Sequence, residues 1–168
     1  MAATNDTYLV STARKLLDLN FICAALSGSY WARHRPRPVI ERSLRNSLCF
    51  GVYRKRGRRQ VAFARVVTDK ATFSWICDVI VDEKERGKGL GKLLMASVSA
   101  HPLVRDTQCI LGTRDAHGLY EKYGFERSEM MRRMPRIFAK TRPSAATTGT
   151  GRNRRGLPSP KRSTRSGK

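Results

Sequence analysis

The stretch "VDEKERGKGLGKLLMASV", from Val81 to Val98, limits the fold more than any other part of the chain. It places Gly87, Gly89 and Gly91 at alternate positions between an apolar, strand-like run ("TFSWICDVIV") and an apolar, helix-like run. Strand, glycine loop and helix in that order predict a parallel crossover inside an α/β sheet. Without Cβ atoms, successive N–H groups can converge on an anion, and the N-terminus of the following helix adds its positive end. A bare strand-to-helix turn needs one glycine. Three of them, alternating with Lys88 and preceded by Arg86, favour a phosphate site.

Two well-known phosphate loops do not fit. The dinucleotide pattern G-x-G-x-x-G meets Lys92 where its third glycine belongs, because Gly91 comes one residue early. The mononucleotide pattern G-x-x-x-x-G-K-[ST] meets Arg86 at its first glycine and Leu93 at its magnesium-binding hydroxyl. What remains is R-x-x-G-x-G, with Arg86, Gly87, Lys88, Gly89, Leu90, Gly91 and Lys92 as candidate contacts to a diphosphate.

Around this loop the apolar periodicity predicts a helix through "KLLDLNFICAAL" that ends near Gly28, and a short helix from Val39 after Pro38. "LCFGVYRK" and "QVAFARVVT" read as a hairpin with Gly57 in its turn, and "TFSWICDVIV" as a strand buried on both sides. A helix over Lys92–Ala100, a short strand at "CILGT" and a helix in "DAHGLYEKYGF", capped by Asp115 and stopped by Gly124, follow. "ERSEMMRRM" reads as a closing strand. The expectation is one α/β domain over residues 1–138 with a mixed, mostly antiparallel sheet flanked by helices.

Charge separates the C-terminal part from this domain. From Ala139 onward the chain carries nine Lys/Arg and no acid, leaving +12 of the net +21 for residues 1–138. Residues 139–168, rich in Gly, Pro, Ser and Thr, cannot bury enough apolar surface to offset ordering entropy and read as a disordered basic tail. The tail is either a solubilising extension or a weak nucleic-acid contact. No run of eighteen apolar residues is present, and the N-terminus lacks the basic-then-apolar order of a secretory signal. Four widely spaced cysteines inside apolar runs suit buried, reduced thiols and not a zinc site, so a cytoplasmic, metal-free protein is expected.

With these motifs in place, the chain resembles the GNAT superfamily of N-acetyltransferases. "VIVDEKERGKGLGKLL" is similar to its acetyl-CoA-binding motif V-x-P-x-x-R-G-x-G-[IL]-G, and "LYEKYGF" (Leu119–Phe125) to its second signature. The resemblance covers roughly residues 15–135 and is greatest to small stand-alone bacterial members. Glu83 occupies the frequent proline position, and Thr113 stands where an asparagine is common.

The resemblance implies an enzyme that moves an acetyl group from acetyl-CoA directly to a primary amine of a small molecule or peptide. It places the pantetheine arm along "CDVIV", with an N–H near Ile80 or Val81 polarising the thioester carbonyl. Tyr120 matches the tyrosine that protonates the departing thiolate; a phenol is neutral at pH 7. Its alternative role is core packing, the role also assigned to Tyr123. Acceptor binding falls to the "SGSYWARHR" loop, where Tyr30 and Trp31 could wall a cationic or apolar group or simply cover the core. Asp78, a lone carboxylate in an apolar strand, is the candidate for receiving the amine's proton. Pairing with a buried arginine is the equal alternative. His117 is a weaker relay candidate. A rival class is a nucleic-acid binder with an inert acyltransferase-like domain, carried by "RKRGRR" and the tail. Monomer and homodimer both remain open.

Overall fold

The computed structural model describes residues 6–133. Five strands form one sheet in the order β1-β2-β3-β4-β5: Tyr8–Ser11, Leu48–Arg54, Gln60–Thr68, Phe73–Val81 and Gln108–Leu111. The first three pairings are antiparallel and the last is parallel. This is the mixed, mostly antiparallel sheet expected, with the parallel step made by the crossover through α3, Leu90–Ser99. β1 was not foreseen. Its four residues gain their structure by pairing with β2, a contact 40 to 46 residues away in the chain.

The sheet is covered on both faces. Leu90, Leu94, Met95 and Val98 of α3 are buried against Val10, Phe50, Val52, Ala64, Val66 and Ile76. Each such aliphatic side chain contributes about 1.5–3 kcal/mol on burial. On the opposite face, Ile22 and Leu26 of α1 (Leu19–Ser27) and Ile40 and Leu44 of α2 (Arg37–Arg45) pack on Cys49 and Phe63. Asp18 caps α1, accepting from the amides of Asn20 and Phe21 at 2.9 and 3.0 Å, which sets its start at Leu19. α4 is one turn, His117–Tyr120, followed by a 3-10 turn over Glu121–Tyr123.

Three expectations are corrected. β4 is not buried on both sides: burial alternates from Phe73 to Asp78, and Val79, Ile80 and Val81 are all half-buried. Asp115 does not cap α4. The cap position is Ala116 without a side-chain bond, and Thr113 Oγ1 instead accepts from the amides of Asp115 and Ala116 at 3.4 and 3.0 Å. Residues 126–133 form no strand; their apolar residues, Met130 and Met131, are adjacent and therefore cannot share one face.

Residues up to Ser128 form one compact unit, and the described part of the remainder, 129–133, holds no helix or strand. The boundary expected at residue 138 and the basic tail lie outside the described residues. Among those residues no helix is long and apolar enough to cross a membrane. The four cysteines are free thiols, Cys49 buried and the others half-buried. Burial pushes the thiols of Cys49 and Cys77 up to about 11.

Candidate active site

The glycine loop begins where β4 ends. Residues Glu83–Glu85 make a 3-10 turn capped by Asp82, and the Arg86 amide closes it on the Glu83 carbonyl at 3.2 Å. Gly87 and Gly89 then take φ of +79° and +78°, the left-handed region that side chains resist. Leu93 donates to the Gly89 carbonyl at 3.0 Å, starting the α3 ladder. The amides of residues 87–92 donate to no described residue. Six successive amides at the N-terminus of a ten-residue helix are thus left without a partner among the described residues.

The neighbouring edge of β4 is open as well. β5 pairs only with Phe73–Ile76, so Cys77–Val81 have no partner strand on that side among the described residues. A cleft of about 760 Å³ runs beside this edge, lined by Val79–Glu83 and Arg86, by α1 and the loop after it, and by Asp115. Tyr30 and Trp31 stand in its wall, 41% and 43% exposed, with their rings edge-to-face at 4.8 Å. The Arg114 guanidinium lies 4.6 Å over the Tyr30 ring.

Of the proposed donor contacts, the loop glycines, Leu90 and Lys92 offer free amides, whereas the Arg86 amide is engaged within the turn. The Arg86 side chain pairs loosely with Glu83 at 3.5 Å on the surface. Lys88 turns its ammonium to Glu85 at 2.9 Å instead of standing free beside the loop. Ile80 and Val81 line the cleft while packing against opposite core faces, Ile80 toward α1 and Val81 toward α3. Gly91 sits inside α3 at ordinary helical geometry; a Cβ there would come 3.4 Å from Leu119 Cδ2.

Asp78 is placed by a β-bulge. Phe63 pairs with Ile80 and Arg65 with Cys77, so Ala64 alone faces both Asp78 and Val79. Asp78 takes φ +55°, and the extra residue inverts the in-out alternation of the strand. Ile76 packs toward α3, but Asp78 turns to the α1/α2 face and meets Arg65. Its Oδ2 accepts from Arg65 Nε at 2.7 Å and its Oδ1 from Arg35 Nη1 at 2.8 Å, while Arg65 Nη1 donates to Ser47 Oγ at 3.1 Å. At 4% exposure, Asp78 does not line the cleft. Of the two readings open for this carboxylate, the geometry displays the arginine pairing.

Tyr120 is 9% exposed and packs edge-to-face on Phe125. Its hydroxyl bonds to no described residue. Burial chiefly raises its pKa, with the nearby charges of Asp115 and Tyr30 adding to the effect. Asp115 and Tyr30 line the cleft, whereas Tyr120, like Asp78, is not among the residues that line it. Tyr123 donates from its hydroxyl to the Lys92 carbonyl at 2.8 Å, tying the 3-10 turn after α4 to the start of α3.

Sequence reasoning missed Glu85, read as one more charge in "DEKER". It is fully buried and held by Tyr8, Arg54, Arg59 and Lys88. Lys88 is its one partner nearby in the chain; Tyr8, Arg54 and Arg59 reach it from β1, the end of β2 and the β2–β3 turn, which no local pattern marks. Among the described residues, no three His, Cys, Asp or Glu side chains gather as a metal-holding group.

Comparison with known proteins agrees with this architecture. The acetyltransferase (GNAT) domain family matches residues 45–127. A Xanthomonas campestris crystal structure assigned to the GNAT family is 41% identical, with TM-score 0.72, covering 79% of this chain and 96% of that one. A Gibberella zeae protein assigned as an acetyltransferase is 34% identical over 110 residues, 55% of this chain. The match spans 62% of that curated relative's length. A GNAT acetyltransferase from Elizabethkingia anophelis, solved with acetyl-CoA bound, shares the fold at 16% identity and TM-score 0.56, over 74% of this chain and 80% of that one. Together with the open β4 edge and the glycine loop, the 41% identity across nearly a whole GNAT protein means that this chain belongs to the GNAT family of acetyltransferases.

Proposed function

We propose that the chain transfers an acetyl group from acetyl-CoA directly to a primary amine of a small molecule or peptide. The observation that carries this reading is the run of free amides at residues 87–92 set beside the unpaired half of β4. Acetyl-CoA supplies a diphosphate for the first, an amide-bearing arm for the second and an activated acetyl thioester. The amides of Gly87–Lys92 hold the diphosphate, with α3's positive end behind them. An N–H near Ile80 or Val81 donates to the thioester oxygen as negative charge builds there. The amine's proton leaves to solvent in the open cleft, and Tyr120 delivers its own proton to the departing thiolate sulfur; burial keeps the phenol protonated at neutral pH.

The acceptor end carries its own evidence. The chain is +21 overall, yet the charged residues lining the cleft are Asp82, Glu83, Asp115 and one arginine, Arg86. Asp82 pairs with Arg59 at 2.8 Å and Glu83 with Arg86, leaving Asp115 without an ion pair among the described residues. A carboxylate in the same lining as Trp31 suits an ammonium acceptor; the face of Tyr30 is already taken by the Arg114 guanidinium. In this reading Asp78 acts through Arg35, which holds the acceptor loop to β4, and does not itself meet the amine. The nucleic-acid rival gains no support: the relatives are acetyltransferases, and Arg54 and Arg59 of its basic hairpin are held by Glu85 and Asp82.

Millimolar acetyl-CoA is expected to raise the melting temperature of the full chain, because a ligand specific to the native state stabilises it by mass action. No shift would remove the donor assignment. A screen of amines, amino acids and polyamines for thiol release from acetyl-CoA would then identify the acceptor.

A further inference from the structure

Glu85 is a carboxylate at 0% exposure, two residues before the first of the amides offered to a phosphate. Burying a carboxylate costs several kcal/mol unless it is well paired, and its placement beside an anion site adds repulsion. The pairing is dense. Oε2 accepts from the Tyr8 hydroxyl at 2.8 Å and from Lys88 Nζ at 2.9 Å. Oε1 accepts from Arg54 Nε at 2.8 Å, from Arg54 Nη2, and from Arg59 Nη2 at 3.3 Å. The donors come from β1, from both sides of the β2–β3 hairpin, and from the glycine loop itself.

Two consequences follow from this geometry. The Glu85 backbone ends the 3-10 turn that launches the loop, so fixing its side chain to β1 and β2 fixes the origin of residues 87–92 against the sheet. Lys88, drawn inward to Oε2, lies between Gly87 and Gly89, and holding it settles which way the flanking amides face. Three cations surround Glu85, and Asp82 also pairs with Arg59 at 2.8 Å, so the cluster keeps a positive surplus.

We propose that Glu85 is a positioning residue for the donor's diphosphate: it touches no substrate, but clamps the glycine loop so that the amides of residues 87–92 point outward together, and gathers Arg54, Arg59 and Lys88 beneath them. This rests on the reading that the loop holds the diphosphate of coenzyme A. A carboxylate that merely stabilised the fold would affect all ligands alike, whereas a clamp on the loop affects only those that carry the diphosphate.

The test compares coenzyme A with pantetheine, which keeps the arm and lacks the nucleotide diphosphate. Dissociation constants are measured on the full chain by calorimetry for the first and ligand-observed NMR for the second. Glu85→Gln keeps the shape and removes the charge. It is expected to weaken coenzyme A binding by about tenfold or more, the scale of one charge-assisted bond, and to leave pantetheine binding unchanged. Glu85→Asp, which keeps the charge but shortens the reach, is expected to fall between the two for coenzyme A only, and carries the same comparison should the glutamine variant fail to fold. Unchanged coenzyme A binding by the folded variant, or an equal loss for both ligands, overturns the proposal. If the wild-type chain binds coenzyme A no more tightly than pantetheine, the diphosphate reading of the loop fails instead.

Discussion

Removing the charge of Asp78 without changing its shape tests whether the bulge in β4 is held by ion pairing. In the native chain the carboxylate is 4% exposed and each of its oxygens accepts from a guanidinium, Arg65 at 2.7 Å and Arg35 at 2.8 Å. The Arg65 side chain is itself only 10% exposed, so Asp78→Asn leaves a buried cation without its counter-charge. Breaking one side of such a pair costs about 3–5 kcal/mol. For a domain of this size that lowers the melting temperature by about 10–20 °C. Asparagine tolerates the φ of +55° that the bulge imposes. Asp78→Ala therefore adds about 1 kcal/mol of backbone strain. Adding Arg65→Met to Asp78→Asn is expected to restore part of the loss, since the orphaned cation is then gone. The assay is urea denaturation of the three variants beside wild type. A loss below about 1 kcal/mol for Asp78→Asn would refute the ion-pair account. Near-native stability with abolished acetyl transfer would return Asp78 to the role of proton acceptor.

Tyr120→Phe is expected to lower turnover by about 10²–10⁴-fold, the usual worth of a positioned proton donor, with coenzyme A affinity nearly unchanged; a full-rate variant removes Tyr120 from the mechanism. Gly89→Ala forces a side chain into φ +78° and is expected to cost about 1 kcal/mol in denaturation and to weaken coenzyme A binding. Gly91→Ala, at helical geometry, should leave the backbone unstrained, and an equal loss at both sites would refute this distinction. Tyr53→Phe is expected to leave stability unchanged or raise it by up to about 1 kcal/mol, because the Tyr53 hydroxyl is buried without a hydrogen-bond partner among the described residues; a clear loss in thermal melting contradicts that. Foremost the Lys88 ammonium, then Arg54 and Tyr8, hold the Glu85 carboxyl down to about 2 from an ordinary 4.5, against the upward push of burial. Its stabilisation is therefore complete above pH 4.5 and lost as the pH falls toward 2, and Glu85→Gln should flatten the melting temperature's dependence on pH across that window.

Much of this molecule follows from local chemistry. The glycine loop, α3, the β2–β3 hairpin with Gly57 in its turn, and the stop at Gly124 are each written in residues within a few positions of one another. Period, turn chemistry and backbone freedom act over that range, so they can be read without knowing what packs where. Tyr30 and Trp31 were named for the acceptor from likeness to a family; that they line one cleft with Val79–Val81 is decided by packing.

Other features depend on partners far along the chain. Whether the lone carboxylate of β4 faced an amine or an arginine depended on a one-residue bulge, which inverts a period-two pattern that the residues alone leave intact. Glu85 and Asp115 are both acids in polar surroundings; one became a buried hub because Tyr8 and Arg54 converge on it from 77 and 31 residues away, the other an exposed acid in the cleft because Thr113 took over the turn's amides. Strand pairing beyond Ile76 likewise stops where β5 ends, leaving half of β4 open. Residue types set which charges and amides this chain has to place, but burial, pairing and edge closure are properties of surfaces meeting, and only packing of the whole domain decides which of them stay accessible.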